Sequence, residues 1–189
     1  MGTRRALKRF PKRPMRRSAT DTFLAERPFE SGMRLHCFPP VIDRNTRIVI
    51  LGSFPGIQSL KRKQYYANPQ NQFWRLVGAS IGEDLAHVAY NKRLALLRSH
   101  GIGLWDVHAS CQREGSVDGN IRKPTKNYLK LLQLSCPCLA RVCCNGKHAA
   151  AHAVIAGIEV TVLPSSSPAN TMRYHEKLLV WRAALRMPN

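Results

Sequence analysis

The loop GSFPG directly follows an apolar run and precedes the aromatic segment YYANPQNQFW. Gly52 and Gly56 permit close backbone approach, so N–H groups of this loop can face an anion or a carbonyl group. Phe54, Tyr65 and Tyr66 supply aromatic faces on which a planar ring can stack. A GxxPG pattern alone identifies no enzyme, and the phosphate-binding pattern GxxxxGK[ST] is absent. These residue types nevertheless suit a pocket for a planar, polar ring.

Small polar residues also follow three later apolar runs. They are HASC at residues 108–111, NGKH at 145–148 and PSSSPAN at 164–170. Any turn uses such residues, so a purely structural origin is one interpretation. The carboxyl ends of parallel strands meet at one edge of a sheet, and ligands bind there. We therefore expect these segments to converge on a site at that edge.

Four apolar, β-branched runs alternate with segments of helical periodicity, an order typical of α/β proteins. We predict a three-layer α/β/α sandwich around a mostly parallel four-stranded sheet. The predicted strands are residues 47–51, 102–107, 139–144 and 158–163. The predicted helices are residues 72–80, 86–100, 125–134, 147–156 and about 171–186, with Asn170 or Thr171 capping the last.

The net charge of +19 is unusual and points to a phosphate-rich partner. The first seventeen residues hold eight Lys and Arg and no acid, but the other 22 basic residues still exceed the 11 acidic ones. Residues 1–33 are predicted to form a flexible basic arm and residues 34–189 one domain. No apolar run reaches 18 residues, so we predict no membrane span. We expect a cytoplasmic protein; a mitochondrial transit peptide is an alternative reading of the arm.

Several residues capable of chemistry have simple structural interpretations. The six cysteines match no CxxC…CxxC metal site, and Cys143 and Cys144 fit a buried strand in a reducing compartment. His148 and His152 have the spacing of a zinc pair but lack the glutamate of HExxH, so we expect no metal. Asp106 sits in an apolar run, and a structural and a functional role stay equally open for it.

Several motifs in this order resemble the uracil-DNA glycosylase superfamily. They are GSFPG, YYANPQNQFW, LWDV, CQREGSVDGNI and LPSSSPAN, and they cover most of the chain from about Leu35 onward. The resemblance is greatest to the branch that acts on hypoxanthine in DNA. It implies that a damaged base is flipped out of the duplex into the pocket at the sheet edge.

The resemblance also implies roles for individual residues. Mismatch-specific relatives hold the attacking water with an asparagine at the position of Phe54, whose phenyl ring cannot orient a water. In the hypoxanthine branch this role passes to the asparagine here numbered Asn71, whose amide offers both an acceptor and donors. An N-cap of the following helix is the competing interpretation of Asn71, and Asn68 is the neighbouring candidate.

The remaining implied residues fall into two sets. The base pocket would be formed by Gly52, Ser53, Phe54, Tyr65, Tyr66 and Asn145. The segment that contacts DNA would comprise Ser165, Ser166, Ser167, Pro168, Ala169, Asn170 and Arg173.

The activity implied is hydrolysis of an N-glycosidic bond by a monomer acting on duplex DNA, with no cofactor and no metal. Departure of the base leaves an oxocarbenium-like sugar, and backbone N–H groups of the first loop could stabilise the leaving base. Hypoxanthine, uracil and xanthine all stay open as the base. A non-catalytic nucleic-acid-binding protein is the main alternative. A small-molecule hydrolase ranks below it because its GxSxG motif is missing.

Overall fold

The computed structural model describes residues 32–187. Almost all of the predicted basic arm lies outside these residues. Among residues 32–187, no helix is both long enough and apolar enough to cross a membrane.

The centre of the protein is a parallel sheet of four strands, which confirms the predicted fold class. The central strand is buried along its whole length and pairs with a parallel neighbour on each side. Strands covered on both faces in this way are near-continuous in apolar residues, which is why the sequence shows them clearly. In spatial order the strands are β3 (Ile102–Asp106), β2 (Ile48–Gly52), β6 (Arg141–Asn145) and β7 (Glu159–Leu163).

Helices cover both faces of this sheet. Ile48 and Ile50 of β2 pack in one apolar cluster with Phe73 and Trp181, whereas Val49 and Leu51 pack in a second cluster on the opposite face. Successive residues of β2 therefore face opposite sides of the sheet, and the helices on the two sides form the outer layers of a three-layer structure. The helices are α1 (Ile57–Arg62), α2 (Phe73–Ile81), α3 (Tyr90–Ser99), α4 (Lys130–Ser135), α5 (Lys147–His152) and α6 (Tyr174–Ala184).

A second, antiparallel sheet was not predicted. It consists of β1 (Arg34–His36), β4 (His108–Gln112) and β5 (Arg122–Lys126), with β4 in the middle. The predicted helix over residues 125–134 is wrong in its first half, because β5 extends to Lys126 and α4 begins only at Lys130. All five residues of β5 are exposed, and the strand lies at the edge of the sheet. Proline is tolerated in an edge strand because its missing N–H breaks no hydrogen bond between interior strands.

The predicted cap of the last helix is also wrong. α6 begins at Tyr174 after Arg173, whose side chain makes no capping hydrogen bond. The Asn170 side chain instead accepts a 3.0 Å hydrogen bond from the Met172 backbone N–H, forming a local turn before the helix. α3 and α5 are likewise shorter than the predicted segments by several residues. The predicted strands and α2 agree with the structure to within two residues.

Candidate active site

Gly52, at the carboxyl end of β2, is where three parts of the chain meet. A Cβ atom at this position would lie 2.5 Å from Asp106 Oδ1 and 3.0 Å from the Tyr66 hydroxyl. Both distances are too short for an ordinary carbon contact, so only glycine allows the two side chains to approach the strand here. The ends of β2 and β3 and the segment before α2 thus converge at the expected edge of the sheet.

Asp106 is the buried carboxyl group of this edge. It is 3% exposed, and Oδ2 has no hydrogen-bond partner among the described residues. Burial raises the pKa of Asp106 to about 7; the nearby Asp118 carboxylate adds to the rise, and Arg113 opposes it. An orphaned buried oxygen of this kind is costly unless a ligand or solvent uses it. The functional interpretation of Asp106, left open by the sequence, is the one that this placement favours.

The Asn145 side chain joins the end of β6 to two other loops. Its Nδ2 donates to the Tyr66 hydroxyl at 3.2 Å and to Ser166 Oγ at 2.8 Å, and its Oδ1 accepts from the Ser166 N–H at 2.8 Å. Both amide hydrogens are therefore used, which fixes the orientation of the side chain, while Oδ1 keeps a second lone pair.

The Tyr66 ring is held as firmly as its hydroxyl. It stacks on Phe73 with ring centroids 3.6 Å apart and planes 6° from parallel. The Tyr66 backbone has a φ of 52°, a left-handed conformation that is strained for a residue with a side chain. Burial raises the pKa of Tyr66, so its hydroxyl keeps its proton and can donate it in a hydrogen bond.

Ser166 differs from its predicted role as a DNA contact. It is fully buried, and besides holding Asn145 its carbonyl accepts a 3.0 Å hydrogen bond from the Gln72 N–H. Gln72 is in turn held by Lys177, which is also fully buried and whose Nζ donates to Gln72 Oε1 and to the Asn170 carbonyl, both at 3.0 Å. Ser166 therefore braces the site from within and connects Asn145 to the start of α2.

Asn71 lies directly beside this brace. Its Oδ1 accepts a 3.0 Å hydrogen bond from the Phe73 N–H, so the side chain supports the start of α2 much as the N-cap interpretation required. An amide oxygen has two lone pairs, and one of them stays available for a water. Asn68 Oδ1 accepts from the Gln70 N–H at 3.0 Å, which is a local turn. The structure thus places Asn71 at the expected edge and half-buried.

Two aromatic side chains predicted for the base pocket are buried among apolar neighbours. Phe54 is 6% exposed and packs with Leu35 and Cys111 in a small apolar cluster. Tyr65 is 3% exposed and its hydroxyl donates to the Pro39 carbonyl at 3.2 Å. Both rings therefore contribute to the apolar packing of the protein. Tyr66 is the aromatic residue of the predicted set whose hydroxyl reaches the site.

The segment Arg113–Asp118 fastens the GSFPG loop, a role that the sequence did not reveal. Ser53 Oγ donates to Asp118 Oδ1 at 2.6 Å, and the Arg113 guanidinium donates to the Pro55 carbonyl. The Arg113 guanidinium also lies 5.2 Å over the Phe54 ring, a cation–π distance. Both residues belong to the motif CQREGSVDGNI, but nothing in that motif alone predicts that they hold the GSFPG loop.

Apart from Ser166, the residues predicted to contact DNA are exposed or half-buried at this edge. Pro168, Ala169 and Arg173 are exposed, and Ser165 and Ser167 are half-buried in a turn where Ser165 Oγ accepts from the Ser167 N–H at 3.2 Å. Strand β5 adds exposed basic side chains from the second sheet, and these were not predicted as contacts. Exposed Lys and Arg are suited to phosphate contacts.

A protein-family model matches most of this chain. The family model described as the uracil DNA glycosylase superfamily matches residues 39–186, which include every residue of the site described above. The chain belongs to the uracil-DNA glycosylase superfamily. The resemblance drawn from the sequence motifs is therefore confirmed.

Two relatives and one solved structure are similar to this superfamily member over most of their length. A hypoxanthine DNA glycosylase of Methanosarcina acetivorans is 44% identical over 152 residues, 79% of this chain and 96% of the relative. One of Methanosarcina barkeri is 42% identical over 157 residues, 82% of this chain and 99% of the relative. The solution NMR structure of a candidate uracil DNA glycosylase from Methanosarcina acetivorans has a TM-score of 0.75 at 43% identity, covering 82% of this chain and 98% of that one.

Proposed function

We propose that this protein removes hypoxanthine from DNA by hydrolysing the N-glycosidic bond with a water held by Asn71. The water oxygen bonds to C1′, the C1′–N bond breaks and its electron pair leaves with the base. The water proton ends on the base, so the products are free hypoxanthine and an abasic site. Relatives named hypoxanthine DNA glycosylase at 42–44% identity favour this base over uracil.

The observation that carries this proposal is the link between Asn71 and the pocket. The next residue, Gln72, is bonded to Ser166, and Ser166 is bonded to Asn145, whose amide reaches Tyr66. A water on the free lone pair of Asn71 Oδ1 is therefore positioned by the same network that shapes the pocket. Holding a nucleophile and its target in one rigid frame is a large part of what an enzyme contributes to rate.

Asp106 is suited to select a deaminated base. Hypoxanthine carries a hydrogen on ring nitrogen N1, where adenine carries a lone pair. A carboxylate oxygen accepts a hydrogen bond from the first and repels the second. Asp106 Oδ2 is buried, with no hydrogen-bond partner within residues 32–187, at the edge where the base is expected, so we assign it as the acceptor for the N1–H. A base without this N–H would leave the buried carboxylate unpaired, so its binding is strongly disfavoured.

The leaving base gains negative charge as the bond breaks. The Tyr66 hydroxyl accepts from Asn145 and so has its own hydrogen to donate toward that charge. The backbone of the GSFPG loop, fixed by Arg113 and Asp118, supplies further N–H groups. The phosphates on either side of the flipped nucleotide stabilise the positive sugar, so the site needs no second carboxylate.

We propose that the enzyme acts on duplex DNA as a monomer, and the charge of the chain supports DNA as the partner. The net charge is +19, and both the exposed β5 strand and the exposed end of the 165–170 segment carry or adjoin basic residues. Phosphate contacts of this kind position the protein without reading sequence. Contacts between the pocket and the flipped base then supply the specificity for damaged DNA.

A panel of duplexes with one lesion each, under single-turnover conditions, tests the proposal. Duplexes with hypoxanthine, uracil or xanthine are incubated with excess enzyme and then treated with alkali to cut abasic sites. We expect the fastest cleavage for hypoxanthine and none for undamaged DNA. DNA binding without any cleavage would favour the non-catalytic alternative and overturn the proposal.

A further inference from the structure

Three histidines from distant parts of the sequence form one cluster beside the candidate site. His108 begins β4, while His148 and His152 lie one turn apart on α5. One ring nitrogen of each histidine lies within 4.8 Å of the others, and His108 Nε2 is 3.1 Å from His148 Nε2. The sequence-based expectation of no metal considered only the pair on α5, because His108 reaches that pair through the fold.

One pair of ring nitrogens in the cluster has about the separation of two ligands on a small tetrahedral ion, and the third ring lies within reach of the same ion. Zinc binds imidazole nitrogen at about 2.0–2.1 Å, so two nitrogens at the tetrahedral angle lie about 3.3 Å apart. The 3.1 Å pair is close to that separation. A hydrogen bond between two neutral rings accounts for this pair, but it does not account for the third ring, whose centroid lies 4.7 Å from that of His108 and 4.9 Å from that of His148.

The environment leaves these rings available as ligands. His108 is fully buried, and its Nδ1 has no hydrogen-bond partner among the described residues, so the ring bonds to the fold through Nε2 alone. A neutral imidazole binds a metal ion through the lone pair of a ring nitrogen.

The charged neighbours of the cluster are Lys126 and Asp118. Lys126 faces His108 across the β4–β5 pairing, but its side chain is exposed and its ammonium group can extend into water. The Asp118 carboxylate favours positive charge at His108.

We propose that His108, His148 and His152 bind one divalent transition-metal ion of the class that prefers imidazole, with Zn²⁺ as the physiological ligand. Three protein ligands leave a fourth position for water. The ion would fasten the start of β4 to α5. The His108 N–H donates to the Ser53 carbonyl at 3.2 Å, so the metal would also steady the GSFPG loop. This site is separate from the proposed excision chemistry.

The test uses the full chain without a histidine tag, stripped with a chelator and then titrated with Zn²⁺ alone by calorimetry. We expect one ion per chain and a rise in Tm with added Zn²⁺, since a ligand of the native state stabilises it. His148→Gln and His152→Gln, at half-exposed helix positions, should each weaken binding at least about 10-fold. The matched control is His36→Gln, an exposed histidine outside the cluster, which should bind like the wild type.

Cobalt distinguishes this site from the six free cysteines. Co²⁺ bound by imidazoles shows visible d–d bands without the thiolate charge-transfer band, and Cys138→Ser removes the exposed thiol as a competitor. Absence of saturable binding, or equal binding by wild type and both cluster variants, would overturn the proposal. A thiolate band would overturn it too. Excision by the stripped enzyme is measured in parallel, so failure of the metal site leaves the glycosylase proposal standing.

Discussion

Asn145 donates a 3.2 Å hydrogen bond to the hydroxyl of Tyr66, a residue 79 positions away in the sequence. This bond joins the end of β6 to the segment before α2, and the second amide hydrogen of Asn145 joins both to Ser166. Ser166 is buried and the other two residues are half-buried, so removing any one of the three polar groups would leave a hydrogen-bonding partner unpaired. The network therefore gives the pocket its shape and its rigidity together.

Removing either end of the Asn145–Ser166 pair should destabilise the protein. We expect Asn145→Ala and Ser166→Ala each to cost about 1–3 kcal/mol, the penalty of an unpaired buried polar group. The double variant should cost clearly less than the two single costs added together, because the groups are in contact. Urea unfolding of the four proteins measures this coupling, and simple additivity would show that the pair does not act as a unit.

Asn71→Ala should abolish catalysis while DNA binding persists. We expect the single-turnover rate on hypoxanthine DNA to fall by at least about 10²-fold, as for loss of a positioned catalytic group. The variant should also lose about 1 kcal/mol of stability, because Oδ1 no longer accepts from the Phe73 N–H. Rate and unfolding midpoint are measured separately.

Two variants separate the chemical and structural parts of the Asn71 effect. Asn71→Asp keeps an acceptor for the Phe73 N–H and should retain the stability that Asn71→Ala loses. Asn68→Ala removes a neighbouring asparagine whose Oδ1 only closes a turn, and it should excise at close to the wild-type rate. A wild-type rate in Asn71→Ala would move the water to another residue.

The sequence was sufficient for the parallel sheet but not for the antiparallel one. Strands such as Ile48–Gly52 are buried on both faces, so their composition alone marks them. Strand Arg122–Lys126 is exposed throughout and exists only through its pairing with β4, and pairing over a long range leaves no periodic signal.

The candidate site shows the same division. Gly52 and Asn145 are predicted from their places at strand ends, whereas Tyr66 and Asn71 are predicted from the motif YYANPQNQFW. The burial of Ser166 could not be found, because serine in a loop has the same composition whether it faces DNA or a buried amide. Side-chain direction is decided by tertiary packing, as it is for the Phe54 ring.

Asp106→Val tests the base-reading carboxyl. A buried carboxyl group without a full set of partners costs stability, so this variant should unfold at an equal or higher temperature than the wild type. Excision of hypoxanthine should fall by at least about 10²-fold, because no acceptor remains for the N1–H. Thermal melts and single-turnover rates on the same preparations check both parts. A stable variant with undiminished excision would remove Asp106 from the site.

Gly52→Ala tests the convergence of strand ends. The added methyl group would lie 2.5 Å from Asp106 Oδ1, so the carboxyl or the Tyr66 ring must move. We expect at least about a tenfold loss of excision rate and a stability loss of about 1–3 kcal/mol from overpacking. Gly119→Ala is the matched control, since a Cβ there meets nothing within 4 Å. Equal rates for the two variants would show that the Gly52 contact is not needed.

Deleting residues 1–17 should weaken DNA affinity and leave excision intact. This segment carries eight basic residues and no acid, so we expect it to contact phosphates and to release their counterions. Deleting the segment removes these contacts, so DNA affinity should depend less steeply on salt concentration. At saturating enzyme the single-turnover rate should match that of the full chain, because every residue of the site lies between Gly52 and Lys177. Fluorescence anisotropy at several salt concentrations gives the slope. A truncated chain that binds but no longer cleaves at saturation would mean that the arm enters the reaction itself.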